Sequence, residues 1–301
     1  MTDNNLTDHL GDDVEHPLYL TGRPTSPAME RILQRPISVL DHGSVTLIDY
    51  MGDDAAIAEA ARTSYGRGTR QVSGNRGLIR YLMRHVHSTP FEMCEIKLHL
   101  RMPIFVARQW MRHRMASINE YSARYSVLER EFYLPSPEVL AQQSTTNNQG
   151  RGDVLAPEQA QRVLEILTQD SARAYDDYEE MIDPNGTNLA RELARINLPV
   201  SVYTQFYWKI DLHNLLHFLR LRADSHAQHE IVVYAQALQQ IVEDWVPEAF
   251  EAFVEYRRDS QNFSKTMVDI LRRVIRDGVD LEEAAEILTA RERREFLAVF
   301  A

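Results

Sequence analysis

The stretch EIKLHLRMPIFVARQWMRHRMASINEYSARY, residues 95–125, carries two periodicities in succession and then a cluster of arginines. From Glu95 to Met102 the apolar Ile96, Leu98, Leu100 and Met102 alternate with Lys97, His99 and Arg101, the period of two that gives a strand one buried and one wet face. Pro103 then begins a helix, Ile104 to about Met111, because a first helical turn tolerates the missing N–H of proline. That helix delivers Arg112, His113 and Arg114 at its C-terminal end, and Ser122 follows after seven residues. The chain is expected to continue there as a loop and to extend again from Arg124 to Val127. Loops held by a rigid scaffold commonly carry ligand groups.

Charge sharpens that expectation. Arg101, Arg108, Arg112, Arg114 and Arg124 stand against one acid, Glu120, in a chain whose formal net charge is −11. A guanidinium stays charged and its planar fork matches phosphate oxygens, so the cluster points to a phosphorylated ligand. Lys97, Lys209 and Lys265 are the only lysines, so a lone arginine says little here, and the Arg-rich run at 291–295 reads as a solvated helix face. The acidic balance argues against a general nucleic-acid binder. At 301 residues and 44% hydrophobic the chain can bury a sizeable core. No apolar run approaches a membrane span, and the first residues have neither the basic start nor the apolar stretch of a secretory signal, so a cytoplasmic protein is expected. The single cysteine, Cys94, cannot form an internal disulfide and reads as a small apolar filler in a reducing compartment.

Along the chain, residues 1–35 lack apolar periodicity and predict a poorly ordered arm, or one lying on a neighbouring subunit. A catalytic domain is expected over 36–257 and a helical extension over 258–301. Ile37, Val45, Leu47 and Ile48 suggest a strand pair, residues 53–61 a helix with Ser64 just beyond it, and residues 75–87 a second helix stopped by Pro90. The segment 143–153, QSTTNNQGRGD, has the composition of a mobile excursion, read as an inert insertion rather than a lid. Helices follow at about 157–181 and 188–196. Val200 to Trp208 alternates as a strand, and 212–222 is helical, with His213 and His217 on one face. A long helix should occupy 228–244, and 262–300 reads as two helices separated near Gly278. The pattern is α+β, antiparallel strands with packed helices, rather than a doubly wound fold. No Gly-x-Gly-x-x-Gly stretch follows a strand, so no Rossmann dinucleotide-binding domain is expected.

The order Arg112, His113, Arg114, seven residues, Ser122 resembles the signature of the flavin-dependent thymidylate synthases. Three further stretches, read from the same sequence, resemble other motif blocks of that family: His87-Ser88-Thr89-Pro90-Phe91-Glu92, Asp211 to Leu219 continuing through Arg222 to Gln228, and Arg191 to Pro199. The resemblance spans roughly residues 36–257. It implies an enzyme that methylates C5 of dUMP to give dTMP, taking the one-carbon unit of 5,10-methylenetetrahydrofolate and the electrons of NADPH through FAD. It also implies a homotetramer with flavin bound at subunit interfaces, where residues 112–114 and 211–222 would meet from different chains.

Roles carried over by resemblance fall into groups. Gln109, Arg112, Glu120, Tyr121, Ser122, Arg124, Arg195 and Arg222 would bind dUMP, with Ser122, Arg124 and Arg195 on its phosphate. Ser64, His87, Thr89, Glu92, Arg112, His113, Arg114, Glu120, Asp211, His213 and His217 would bind FAD. Some family members carry Asn, Arg and Asn at the last three positions, so the polar types persist here while the charges change. Arg222 is the expected catalytic residue, because a guanidinium beside the uracil N3 and O4 edge favours the anionic ring and a more nucleophilic C5. Ser122 is the second, expected to bind and polarise rather than attack, since a serine nucleophile needs a positioned base.

Other readings of the same residues remain open. His213 and His217 at i,i+4 could bind a metal in a metal-dependent hydrolase, with Asp224, His226 and His229 nearby. No His-Glu-x-x-His motif accompanies them, and the arginines would go unexplained. The arginines with Tyr121, Tyr125, Phe132 and Tyr133 could stack on RNA, which the net charge disfavours. Glu120 and Arg124 could be a local ion pair.

Overall fold

Strand β1 (Pro36–Val39) turns back into β2 (Gly43–Met51). The turn admits no side chain at Gly43, where an added Cβ would lie 1.9 Å from the Tyr234 hydroxyl oxygen. The alternating stretch forms β3 (Glu95–Pro103), followed by β4 (Ser117–Glu120), a hairpin of β5 (Ala141–Gln143) and β6 (Arg151–Val154), and β7 (Tyr203–Asp211). Five of these strands form one sheet in the order β1-β2-β3-β7-β4, every neighbouring pair antiparallel. Cross-strand pairs such as Leu98 with Trp208 and Leu100 with Phe206 place the buried side chains on one face, as a period of two requires. The computed structural model describes residues 22–63, 74–145, 150–224 and 226–301.

The helices that precede the arginine cluster are α1 (Pro27–Ile32), α2 (Asp54–Arg62), α3 (Asn75–Arg84) and α4 (Thr89–Glu92). After them come α5 (Ile104–Trp110), α6 (Pro157–Ile182), α7 (Arg191–Ala194), α8 (Leu212–Arg222), α9 (His229–Trp245) and α10 (Pro247–Phe253). α9 runs against α5, α8, β1 and β2, and α8 also packs on β7. Leu215, Leu219, Ile231, Tyr234 and Leu238 are buried, the spacing by which an amphipathic helix covers a sheet. Asp53 caps α2 by accepting from the Ala56 N–H at 2.8 Å, and Asp211 caps α8 from Asn214 N–H at 2.9 Å, each satisfying a donor that the first turn leaves open. Burial pushes the Cys94 thiol up to about 12, in keeping with an inert filler. Among the described residues no helix is long and apolar enough to cross a membrane.

Several expectations change. Within the arm, residues 1–21 lie outside the described residues, but 27–32 form α1, whose Met29 is fully buried and whose Glu30 accepts from the Tyr50 hydroxyl. This part of the arm docks on its own chain. The loop expected after the arginines contains β4, and residues 124–127 form a turn instead of extending. Pro90 sits in the first turn of α4, so it starts a short helix after α3 has already ended at Arg84. The helix expected at 188–196 shrinks to α7 and a 3-10 turn, Arg195–Asn197.

The chain divides into two compact units, 1–253 and 254–301. The second contains α11 (Lys265–Asp277), α12 (Leu281–Ala284) and α13 (Ala290–Ala298) around Ile270, Ala284, Ala285 and Phe296. Gly278, at φ +68°, ends α11 where expected, as a left-handed residue after a helix favours glycine. Beyond it the single helix expected is broken by a 3-10 turn, Ala285–Ile287, and a capping box at Thr289 and Glu292.

Candidate active site

Trp110, the last residue of α5, fixes the cluster that follows. Its ring is fully buried against Trp208, Phe218 and Tyr234 at centroid distances of 5.1, 4.4 and 6.2 Å. Emptying a site of this kind costs about 3–5 kcal/mol, so the chain leaves the core in a defined direction. Arg112 and Arg114 emerge exposed, with no carboxylate partner among the described residues. His113 folds back onto Phe218, ring centroids 4.7 Å apart, and lies 6.3 Å from the His217 ring.

Arg222 closes the group. Its Nε–H donates to His113 Nε2 at 2.9 Å and Nη2 reaches the Gln109 carbonyl oxygen at 3.5 Å. A guanidinium cannot accept, so His113 must present a bare Nε2 and carry any proton on Nδ1. Burial, then the charges of Arg222 and His217, push the imidazole down to about 4. Arg222 is itself held below its ordinary value by burial and by Arg112. His113 and Arg222 thus meet within one chain.

A cleft of about 420 Å³ opens beside this group, lined by Gln109, Arg220, Leu221, Arg222, Asp224, His226, Ala227 and Gln228. Gln109 donates through Nε2 to Gln228 Oε1. Gln228 in turn donates to Glu230 Oε2 at 2.8 Å, and both Glu230 oxygens accept from Arg151 Nη2 at 2.6 and 2.7 Å. Sequence reasoning missed Gln228, Glu230 and Arg151. A glutamate in a first helical turn reads as a dipole partner, and nothing local announces that this one is 4% exposed. Arg151 lies in the segment read as an inert insertion; it forms an ordered hairpin tied to the core, with residues 146–149 outside the described residues.

A second group forms beyond β4. The Arg124 N–H donates to Ser122 Oγ at 3.4 Å, and its guanidinium lies 5.2 Å above the Tyr125 ring. Arg191 holds the Tyr125 carbonyl at 2.9 Å, and Arg195 is exposed one turn along. The Tyr121 hydroxyl donates to the Val127 carbonyl at 3.0 Å. Glu120 accepts from Thr204 Oγ1 at 2.8 Å and makes no ion pair with Arg124, which removes the local-pair alternative. No hydrogen bond or ion pair among the described residues joins Ser122, Arg124 or Arg195 to Gln109 or Arg222. Four strand residues alone span about 10 Å.

A third group flanks α8. Short helix α4 packs against it, carrying exposed Thr89 and half-buried Glu92, with exposed His87 just before. His87 is not a buried imidazole; it stacks on Tyr81 at 6.0 Å. Val86 delivers it at φ +62°, where glycine is the usual residue, in a turn closed by His87 N–H to Leu82 O at 3.0 Å and Val86 N–H to Met83 O at 3.3 Å. A β-branched residue there stores strain. His213 is half-buried and His217 exposed on α8, while both Asp211 oxygens serve Asn214, at 2.9 Å to its N–H and 2.7 Å to Nδ2. Ser64 lies outside the described residues. Arg112 and Arg114, without a carboxylate partner among the described residues, a neutral imidazole at His113 and the polar face of α8 are donors and acceptors of the kind that suit a flavin nucleotide.

No third histidine, cysteine or carboxylate joins His213 and His217 in a group able to hold a metal, among the described residues. The model of the thymidylate synthase complementing protein family matches residues 46–248. A flavin-dependent thymidylate synthase of Ruegeria pomeroyi is 62% identical, covering 92% of this chain and 91% of its own, and one of Gluconobacter oxydans is 58% identical, covering 93% and 92%. Among solved structures, the UMP/dUMP methylase PolB from Streptomyces cacaoi bound with 5-Br UMP is similar at a TM-score of 0.67 and 35% identity, over 74% of this chain and 98% of that one. These matches leave the hydrolase reading without support, and the chain belongs to the thymidylate synthase complementing protein family, that of the flavin-dependent thymidylate synthases.

Proposed function

We propose that the protein is a flavin-dependent thymidylate synthase that converts dUMP, 5,10-methylenetetrahydrofolate and NADPH to dTMP, tetrahydrofolate and NADP, in the cytoplasm. The observation that carries this is the position of Arg222: a partly buried cation with no carboxylate partner among the described residues, held from behind by His113 and facing a cleft. FAD, when bound, supplies the relay of electrons between nicotinamide and the one-carbon unit. The protein's own groups bind and polarise. With Nε committed to His113, the Nη groups of Arg222 remain for the uracil edge, where positive charge favours the anionic ring and strengthens C5 as a nucleophile. Ser122 has no imidazole beside it among the described residues, and its hydroxyl oxygen accepts from the Arg124 backbone N–H, which supports a binding role for it.

That no hydrogen bond or ion pair among the described residues joins the Arg222 group to the Ser122–Arg124–Arg195 group supports a site completed by a second copy, as in a homotetramer. One nucleotide would then place its base against Gln109 and Arg222 of one chain and its phosphate against Ser122, Arg124 and Arg195 of another. Exposed Met115 and Tyr125, each 70% accessible, flank β4 where such a neighbour would sit. Flavin contacts are assigned to Ser64, His87, Thr89, Glu92, Arg112, His113, Arg114, Glu120, Asp211, His213 and His217, and Tyr121 to the dUMP side.

Visible absorption spectra of the purified protein, recorded before and after anaerobic NADPH, test the reading directly. Flavin bands that bleach, with dTMP formed once dUMP and methylenetetrahydrofolate are added, are expected. A protein that binds neither FAD nor dUMP would overturn it.

A further inference from the structure

Glu230 is the only acid among the buried polar residues described. Burial pushes its pKa up, but bonds from its own backbone N–H, Gln228 and Arg151 outweigh that and hold it below the ordinary carboxylate value. Arg151 donates to both oxygens, the Tyr133 hydroxyl to Oε1 at 3.1 Å and Gln228 Nε2 to Oε2 at 2.8 Å. An ionised carboxylate accepts and cannot donate. Gln228 must therefore turn its NH₂ toward Glu230 and its carbonyl oxygen toward Gln109. Gln109 must answer with its NH₂, which leaves its own carbonyl oxygen for the cleft it lines with Arg222.

We propose that Glu230 is a positioning residue that sets the polarity of the Gln228–Gln109 amide pair, so that Gln109 presents a hydrogen-bond acceptor to the nucleotide. The inference rests on dUMP occupying this cleft. The group it reads is a donor of the nucleotide, either the N3–H of the neutral ring as it binds or the sugar 3′-hydroxyl. An amide pair without the carboxylate at its end could flip in concert and present NH₂ instead, a repulsive face to either donor. Arg151 ties the β5–β6 hairpin into the same chain, which gives that hairpin a part in substrate recognition.

The test uses flavin-loaded holoenzyme and measures binding of dUMP, N3-methyl-dUMP and the 3′-deoxy analogue of dUMP. Glu230→Gln keeps size and shape while removing the constraint. It is expected to weaken dUMP binding on the order of tenfold, the scale of one hydrogen bond, with flavin content and dUMP-independent reduction by NADPH unchanged. For the analogue lacking the donor that Gln109 reads, the gap between wild type and variant should close; which analogue closes it identifies the donor. Gln228→Met severs the chain on both sides yet leaves Glu230 with Arg151 and Tyr133, so it should repeat the result if Glu230→Gln folds poorly. A gap that is absent, or equal for dUMP and both analogues, would overturn the proposal alone. A wild-type holoenzyme that binds no dUMP would overturn it together with the functional reading.

Discussion

Arg222 and His113, 109 residues apart in the chain, are joined by a 2.9 Å hydrogen bond in which the guanidinium Nε–H donates to imidazole Nε2. The bond ties the end of α8 to the segment after α5 and fixes which edge of the guanidinium is free. Arg222→Lys keeps the charge but loses the fork and the backing bond. Its kcat is expected to fall about 10²–10³-fold, the usual loss when a preorganised donor is removed, while FAD stays bound. Turnover near wild type in a steady-state assay would remove Arg222 from the chemistry.

His113 should remain neutral through ordinary assay conditions. Its folded value, about 4, lies below the unfolded 6.5, so between those values the folded state holds fewer protons. Stability then rises with pH across that window, and acidification through it destabilises. Imidazole NMR shifts should titrate well below pH 6. The midpoint should rise in Arg222→Gln, once a neighbouring cation is gone. A wild-type midpoint near 6.5 contradicts the geometry.

Ser122→Ala should raise the dUMP KM several-fold, about the value of one hydrogen bond to an anion, and leave measurable turnover. Mass spectrometry of the quenched reaction should find no adduct on Ser122. Abolished turnover together with a trapped adduct in the wild type would make Ser122 a nucleophile.

Sites shared between chains allow complementation. Arg222→Ala and Arg124→Ala should each be close to inactive alone. When subunits exchange in a mixture, some sites combine an intact Arg222 with an intact Arg124 and activity should reappear. Mixtures that stay inactive after exchange, verified by native mass spectrometry, would place both groups in one chain.

Val86→Gly should stabilise the fold by about 0.5–1 kcal/mol, since it relieves a left-handed β-branched residue at some cost in unfolded-chain entropy. Urea unfolding measures this. A destabilised variant would mean that the Val86 side chain contributes packing beyond its backbone strain.

The strands and helices that cover a core were legible because their periodicity is imposed by burial, as in Glu95–Pro103 and Leu212–Arg222. β4 escaped because all four of its residues are exposed at the sheet edge, where no alternation is demanded. α1 escaped because its one fully buried side chain, Met29, sits in a six-residue helix too short to show a period. In the site, the arginines and histidines were found through motif order, and their grouping was not. That Arg222 meets His113 within the chain depends on α5 and α8 sharing the Trp110–Trp208–Phe218 core, a three-dimensional fact with no sequence signature. Gln228 ended a motif block but carried no role there, and Glu230 lacked any signal, because a polar residue's burial is decided by elements far away.

The Arg151–Glu230 pair also constrains inheritance. A buried carboxylate that loses its cationic partner is left several kcal/mol uncompensated, so a descendant cannot discard the β5–β6 hairpin by a single deletion and keep Glu230 charged. Either a new cation must already stand beside position 230, or that position must have become neutral first. The base of the hairpin, at Arg151, is locked to the helix it touches.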